Sequence, residues 1–297
     1  MKIKEYIDSL PPITNRKIII TGGNSGLGFS IASHSLSKGA RIVLACRNID
    51  KANKAKDNLL KLYPGSDISI MIYDQASLKS CKEFARAVIR DHSDFYCLVL
   101  NAGVFRIKKG IVTEDGFPMV SGVNAFGTLA IVEELQGYLN EVEREKRIVI
   151  QGSLGSRLEK MKDFEYSLQN PYIPYFTQYF NSKNMCLNIF EYYGRHNNNP
   201  CVKYLQCEPG ISSSNIIQNF PKAIKPVCNF FLKLLFQNPD MGSLPAMDVI
   251  CGNVSNLVHS RPRGLFAIRG FPKRFRVKQK HIHFDMLLKM IEIVKKH

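Results

Sequence analysis

The sequence lacks an apolar run long enough to cross a membrane. Its longest strongly apolar stretch, Pro226 to Phe236, is interrupted by Asn229 and Lys233, whereas a membrane-spanning helix needs roughly 20 consecutive apolar residues. The N-terminal stretch MKIKEYIDSLPP also lacks the apolar centre of a secretory signal peptide. These absences predict a cytoplasmic location.

Paired cysteines are absent as well. None of the eight cysteines forms a Cys-x-x-Cys pair or a cluster with zinc-like spacing. Several lie inside apolar runs, such as YCLVL (96–100) and CVKYLQC (201–207). We therefore predict buried free thiols in a reducing compartment, and no metal site.

Acidic residues are too few to balance the basic ones. The chain has 41 Lys and Arg against 25 Asp and Glu, a net charge of +16, and its densest basic region is 261–280. A solvated basic face is the simplest interpretation of this region, and peripheral contact with an anionic membrane is the alternative. No nucleic-acid-binding motif accompanies the charge, so no nucleic-acid partner is predicted.

The chain has no linker rich in Pro, Gly or Ser, which favours one domain over 1–297. What it does have is an alternation of strand-like and helical segments. We predict strands at 17–21, 41–46, 68–73, 96–101, 147–151, 202–207 and 264–268, helices at 25–38, 50–63, 77–92 and 176–195, and a long helix within 113–140. Such alternation is typical of an α/β fold with a doubly wound parallel sheet flanked by helices.

A glycine-rich turn follows the first predicted strand directly. It reads Thr21-Gly-Gly-Asn-Ser-Gly-Leu-Gly28, and a strand, a glycine turn and a helix together suit a dinucleotide because the helix N-terminus presents free N–H groups to the pyrophosphate. The candidate cofactor-binding residues are Gly22, Asn24, Ser25, Gly26, Leu27 and Gly28. A purely structural glycine loop is the alternative.

The end of the second predicted strand bears on which dinucleotide binds. An NAD site usually has an acidic residue here for the ribose hydroxyls, but this chain has Cys46 and Arg47. A guanidinium can bind a 2′-phosphate. We therefore predict that NADP(H) is preferred over NAD(H), unless Arg47 only points to water.

Tyr179 and Lys183 are the first candidate catalytic residues. A spacing of four places them on one face of a helix, where the ammonium stabilises a tyrosinate and the phenol can exchange a proton with a carbonyl or hydroxyl. Ser153 follows the fifth strand and could hydrogen-bond the substrate oxygen, with Ser156 as a competing candidate.

Further polar residues and turns follow other strands or interrupt a helix. Asp74 could accept a hydrogen bond from an adenine amine or cap a turn, and Asn124 is a candidate buried polar group within a helix. The other candidates are Asn101, Ala102 and Gly103 after the fourth strand, and Pro209 and Gly210 beside the nicotinamide.

Together these motifs resemble the short-chain dehydrogenase/reductase family over about residues 14–255. The resemblance rests on their order: TGGNSGLG (21–28), Asp74, NAG (101–103), Asn124, Ser153, YFNSK (179–183) and PG (209–210). It implies a single Rossmann-type domain, with Tyr179 as general acid/base, Lys183 on the nicotinamide ribose, Ser153 on the substrate carbonyl and Asn124 holding a water in a proton relay.

LACRNIDKA (44–52) and TEDGF (113–117) resemble the branch that contains retinol dehydrogenases and light-dependent protochlorophyllide reductases. That resemblance implies NADPH and a bulky apolar substrate. The chain departs from the pattern in three places: Gly152 stands where a second Ser is frequent, Glu208 where His is frequent, and 211–214 where a threonine usually contacts the carboxamide. That contact could be made by any of the serines in 211–214.

Residues 211–240 are predicted to form an apolar lid over the substrate, and 261–297 a basic C-terminal tail. An apolar pocket suits a steroid, a retinoid or a lipid aldehyde, although the same apolar stripe also fits a helix core or a contact between copies of the chain. Two other functions remain open: a non-catalytic NADP(H)-binding partner protein, and a reductase of C=C bonds.

Overall fold

The fold is one eight-stranded sheet with helices on both faces. The computed structural model describes residues 1–105, 107–157, 168–210, 237–264, 267–277 and 283–297. The strands are β1 Lys17–Thr21, β2 Arg41–Cys46, β3 Ile68–Ile72, β4 Phe95–Leu100, β5 Lys146–Gln151, β6 Val202–Cys207, β7 Val258–Pro262 and β8 Pro272–Arg276. They lie in the order β3-β2-β1-β4-β5-β6-β7-β8, with all neighbours parallel except β7 and β8.

The helices are α1 Ile3–Ser9, α2 Gly26–Ser37, α3 Ile49–Leu62, α4 Leu78–Asp91, α5 Met119–Ser121, α6 Thr128–Glu141, α7 Tyr175–His196, α8 Pro239–Cys251 and α9 Phe284–Lys296. A π-helical turn, Gly122–Gly127, joins α5 to α6, and Leu154–Arg157 form a 3-10 turn. Alternate residues of β1 enter opposite cores: Ile19 packs under α4, α6 and α7, and Ile18 and Ile20 pack under α2, α3 and α8. Burial on both faces explains why these strands are continuous apolar runs.

The predicted doubly wound α/β sheet is confirmed, but its last predicted strand, 264–268, is wrong. The Ala267 N–H donates to the Gly264 carbonyl over 2.9 Å, and Ala267 has a φ of +58°, so the chain turns there. This turn lets β8 run back beside β7 as an antiparallel edge strand. The long helical segment predicted within 113–140 begins at Met119.

The predicted lid and the predicted basic tail are only partly described by the structure. Residues 211–236 of the predicted lid lie outside the described residues, and 239–240 are the first residues of α8. The predicted basic tail contains β8 and the amphipathic helix α9. Among the described residues, no helix combines the length and the apolar character needed to cross a bilayer.

Because β1 to β6 are parallel, their carboxyl ends meet at one edge of the sheet, where ligands bind in such folds. The predicted site residues follow these ends: Gly22 follows β1, Arg47 β2, Asp74 β3, Asn101 β4, Ser153 β5 and Pro209 β6.

Candidate active site

The glycine turn after β1 has the geometry of an anion-binding loop. Gly22 has a φ of +66°, and a Cβ at Gly28 would overlap the Gly22 carbonyl oxygen, so α2 packs this closely on the turn only with glycine at position 28. Ser25, the residue before α2, is exposed and makes no side-chain cap. The first N–H groups of α2 can therefore be offered to a ligand phosphate.

Thr21 joins this turn to the loop after β4. Its Oγ1 accepts hydrogen bonds from the N–H groups of Asn101 and Ala102, both at 2.9 Å. Asn101 Nδ2 in turn donates to the Thr21 carbonyl over 2.9 Å. The predicted 101–103 turn is thus held directly against the predicted phosphate turn.

The ends of β2 and β3 bring Arg47 and Asp74 together. The two side chains form an ion pair of 3.7 Å and remain largely exposed, at 72% and 42%. Asp74 Oδ1 also accepts from the Ala76 N–H over 2.9 Å, so this carboxylate caps a turn. Below the glycine turn, burial raises the pKa of the Cys46 thiol to about 11, although the N–H groups of Asn24 and Gly23 partly oppose this shift.

Lys183 links three parts of the site. It is buried, and its Nζ donates to the Gln151 carbonyl over 3.0 Å, at the end of β5. A Cβ at Gly103 would lie 3.5 Å from the same Nζ. Tyr179 lies one turn earlier on α7, with its ring edge-to-face on Phe105 at 4.8 Å between centroids. The loops after β4 and β5 therefore converge on the helical turn that carries Tyr179 and Lys183.

The two candidate serines have different surroundings. Ser156 is buried and its hydroxyl donates to the Ser153 carbonyl over 2.6 Å, while its own carbonyl accepts from Asn184 Nδ2 over 2.8 Å. Ser153 is only partly buried, and its Oγ accepts from the Gly155 N–H at 3.2 Å. Ser156 thus braces the loop, and Ser153 retains a hydroxyl proton to donate to a ligand.

Asn124 lies in the π-helical turn and is fully buried. Its Oδ1 accepts from the Val104 N–H at 2.7 Å, and its Nδ2 donates to the Val104 carbonyl at 2.9 Å and to Ser182 Oγ at 3.0 Å. Both amide hydrogens are used within the protein. The water-holding role implied for Asn124 stays a prediction.

Pro209 and Gly210 form the turn after β6, where Gly210 has a φ of +66°. Gln237 Nε2 donates a hydrogen bond to the Pro209 carbonyl. The preceding residue, Glu208, is buried beside His259 on β7, with 3.2 Å between Oε1 and Nε2. Residues 211–214, predicted to contact the carboxamide, lie outside the described residues.

An aromatic wall lies beside the Tyr179 ring. We use this name for Phe105, Phe176 and Phe180. The Phe105 and Phe176 rings are 5.4 Å apart, and the Phe176 and Phe180 rings 5.8 Å apart. Phe176 is 61% exposed, so the wall continues from the phenol to the surface.

Thr21, Gln151 and Ser182 hold the site together, although none of them was predicted as a site residue. Thr21 and Ser182 lie within the TGGNSGLG and YFNSK motifs, but all three act by contacts between separate segments, and no spacing along the chain reveals those partners. Phe105 was accessible to sequence reasoning because it stands two residues after Gly103. The described residues contain no group of three or more His, Cys, Asp or Glu side chains placed to hold a metal ion.

Comparison with known proteins identifies the relatives of this arrangement. Residues 16–167 match the family described as short chain dehydrogenase. Human retinol dehydrogenase 14 is 27% identical over 245 residues, covering 77% of this chain and 71% of that protein. The chicken WW domain-containing oxidoreductase is 33% identical over 163 residues, which is 54% of this chain but only 39% of that protein.

Solved structures agree on the fold. A structure of an uncharacterised protein from Mycobacterium paratuberculosis covers 98% of this chain and 97% of its own, with a TM-score of 0.75 and 21% identity. The Pseudomonas aeruginosa RhlG/NADP complex covers 81% of this chain and 91% of its own, with a TM-score of 0.62 and 19% identity. At these identities the likeness concerns the fold alone.

Proposed function

The chain belongs to the short-chain dehydrogenase family of oxidoreductases, and from this we propose that it moves hydride between NADP(H) and a carbonyl or alcohol group of a bulky apolar substrate. One observation carries the proposal: Lys183, one helical turn after Tyr179, is hydrogen-bonded to the end of β5 and lies against the loop after β4. This convergence supports a site in which the phenol, the ammonium and the Ser153 loop act together at the edge where parallel sheets of this kind bind ligands.

The residues at this edge suit a dinucleotide. The turn from Gly22 to Gly28 would hold the pyrophosphate, since it leaves the N-terminus of α2 open. Arg47 would bind the 2′-phosphate of NADP(H) in competition with Asp74, and β2 itself contains no carboxylate that would repel the phosphate. When bound, the nicotinamide supplies or accepts the hydride.

The side chains of the chain itself would handle the proton and the substrate oxygen. Tyr179 Oη would give a proton to the substrate oxygen in reduction, or take one in oxidation. Lys183, held by the Gln151 carbonyl, would favour the tyrosinate that follows proton transfer. Ser153 Oγ would donate a hydrogen bond to the same substrate oxygen.

The aromatic wall supports an apolar substrate. Phe105, Phe176 and Phe180 flank Tyr179 with flat apolar faces, and Ile111, Val112 and Tyr172 are also exposed large apolar residues. A steroid, a retinoid or a lipid aldehyde can bury its hydrocarbon part on such a surface. The relatives named retinol dehydrogenase make retinoids the first compounds to try.

Turnover with a matched pair of tyrosine variants tests the proposal. The wild-type protein should oxidise NADPH with at least one member of a panel of retinoid, steroid and lipid carbonyls. Tyr179→Phe keeps the ring packing and removes the proton donor, so kcat should fall by about a hundredfold or more. Tyr175→Phe, one turn earlier on α7, should change kcat less than about twofold.

The result also decides between the alternatives. NADPH binding in titration, with no turnover of any panel member, would support a non-catalytic NADP(H)-binding protein and contradict our proposal. A product in which a C=C bond has been reduced to a single bond while the carbonyl is intact would instead identify a C=C reductase.

A further inference from the structure

Gln75 is a buried amide at the junction of two elements of the site. It follows Asp74 after β3 and is only 7% exposed. Its Nε2 donates to the Val123 carbonyl over 2.8 Å and lies 3.3 Å from both the Ala102 carbonyl and Thr128 Oγ1. Its Oε1 accepts from the Tyr73 hydroxyl over 2.6 Å. The carbonyl partners require the amide nitrogen on their side, so the orientation of the amide is determined.

The two carbonyls belong to segments that carry candidate site residues. Ala102 is in the turn after β4, and Val123 immediately precedes Asn124 in the π-helical turn. That turn also rests on the Gln75 backbone, because a Cβ at Gly127 would lie 2.5 Å from the Gln75 carbonyl oxygen. π-helical turns inserted into α-helices are frequent at functional sites, and here Gln75 ties one to the neighbouring loop.

Any shift of the π-helical turn would move Asn124 and its partners. The Asn124 amide holds both main-chain groups of Val104. A Cβ at Gly103 would lie 3.0 Å from Asn124 Oδ1 and 3.5 Å from Lys183 Nζ. The path from Gln75 through the π-helical turn therefore ends at the lysine next to the predicted general acid.

Tyr73 determines the orientation of the Gln75 side-chain amide. The phenol is buried, and burial raises the pKa of Tyr73 well above its usual value, so the hydroxyl stays protonated and donates to Gln75 Oε1. The Tyr73 ring is stacked on Phe84 of α4 at 4.3 Å between centroids. The ring therefore has little freedom to turn away from the amide.

We propose that Gln75, oriented by Tyr73, is a positioning residue that holds the π-helical turn against the loop after β4 and so sets the place of Asn124 and Lys183. Gln75 forms no hydrogen bond to Tyr179 or Lys183 and acts through its bonds to the Val123 and Ala102 carbonyls. Its effect on turnover rests on the proposed function, whereas its effect on Asn124 does not.

The test compares two glutamines that have similar partners. Gln75→Met keeps the length of the side chain and removes its hydrogen bonds. The control is Gln136→Met on α6, where the amide also bonds a carbonyl, Val132, and a phenol, Tyr204, but lies away from the site. We expect Gln75→Met to lower kcat about tenfold with KM for NADPH changed by less than about twofold, and Gln136→Met to leave both unchanged.

Hydrogen exchange of the cofactor-free protein gives a readout that does not need activity. The Val104 amide, which donates to Asn124 Oδ1, should exchange at least about tenfold faster in Gln75→Met, while amides of β6 keep their wild-type rates. Unchanged Val104 exchange would overturn the proposal, and so would equal acceleration throughout the sheet, which indicates general destabilisation.

A milder variant keeps the proposal testable if Gln75→Met does not fold. Tyr73→Phe leaves the bonds from Gln75 to Val123 and Ala102 in place and removes only the orienting hydroxyl, so Val104 exchange and kcat should move in the same directions by about two- to threefold. No change in Val104 exchange would overturn the proposal. An inactive wild-type protein would refute the proposed function, and the exchange result would still decide the role of Gln75.

Discussion

Arg47 and Asp74 form an exposed pair beyond the carboxyl ends of β2 and β3, and surface pairs of this kind contribute little to stability. Their proximity matters more for binding. Asp74 is close enough to orient the guanidinium, and a 2′-phosphate would compete with it for Arg47. The pair is therefore a determinant of cofactor choice in our proposal.

We expect Arg47→Ala to lower kcat/KM for NADPH by about ten- to a hundredfold, the range of a charge-assisted hydrogen bond. The value for NADH should change little. Arg41→Ala is a matched control, because Arg41 lies at the other end of β2 and pairs with Asp94 over 2.8 Å. Steady-state kinetics with both cofactors measures the effect, and an equal loss with NADPH and NADH would contradict the assignment of Arg47 to the 2′-phosphate.

Glu208 shows how a departure from the family pattern is accommodated. The resemblance predicts a histidine before Pro209, and this chain has a buried glutamate there instead. The structure provides a histidine from a different strand: His259 of β7 lies 3.2 Å from the Glu208 carboxylate. A buried carboxylate needs a nearby partner, and a sequence read residue by residue does not reveal one that comes from another strand.

At the scale of elements, α9 is the clearest addition to the predicted fold. Leu287, Met290, Ile291 and Val294 form its buried face. Lys295 pairs with Glu133 of α6 over 2.8 Å, and the Phe284 ring packs on Tyr192 of α7 at 5.4 Å. The helix thus covers the outer side of α6 and α7.

Two adjacent leucines of α9 test how much this cover stabilises the protein. Leu287 is fully buried, and Leu288 is 44% exposed. Leu287→Ala should lower the free energy of unfolding by about 2–5 kcal/mol, and Leu288→Ala should change it by about 0.5 kcal/mol or less. Urea denaturation measures both, and similar losses in the two variants would show that α9 does not pack as described.

The edge strand β8 accounts for part of the basic excess. Lys273, Arg274 and Arg276 are exposed on it, and Pro272 begins it. Charged residues and proline on an edge strand hinder pairing with a second sheet. Arg274 also pairs with Asp248 of α8 over 2.8 Å. This local role supports the simpler interpretation of the basic region, while membrane contact stays a prediction.

At the scale of the whole molecule, His34 couples stability to pH. This residue of α2 is largely buried and lies near Asp240 of α8, at 3.9 Å. Burial lowers the pKa of His34, although Asp240 partly opposes this shift. A lowered folded-state pKa means that the unfolded chain binds the proton more readily. The associated stability is present above the pKa of the unfolded histidine, about 6.5, and is lost as the pH falls through the folded-state value.

The urea midpoint of the wild-type protein should therefore decrease as the pH is lowered from about 7.5 to about 5.5, and in His34→Gln it should decrease less steeply. Some slope should remain in the variant, because burial and the nearby Lys17 also lower the pKa of His92. Identical slopes in the wild type and the variant would exclude His34 as a contributor.

The sequence by itself determined the α/β alternation, the glycine turn and the spacing of Tyr179 and Lys183. Each of these is a local property: strands buried on both faces are apolar runs, the turn needs glycine where backbones touch, and residues four apart share a helical face. Strands β1, β2 and β6 were therefore predicted at their observed bounds.

Only the tertiary structure decided the reversal at β8, the π-helical turn at Asn124, the difference between Ser153 and Ser156, and the place of Gln75. Each depends on a partner in a different segment: β7 beside β8, Val104 beside Asn124, Asn184 beside Ser156, and Val123 beside Gln75. Hydrogen bonds and packing between separate elements leave no periodic trace along the chain, so their partners become apparent only when the sheet brings the loops together.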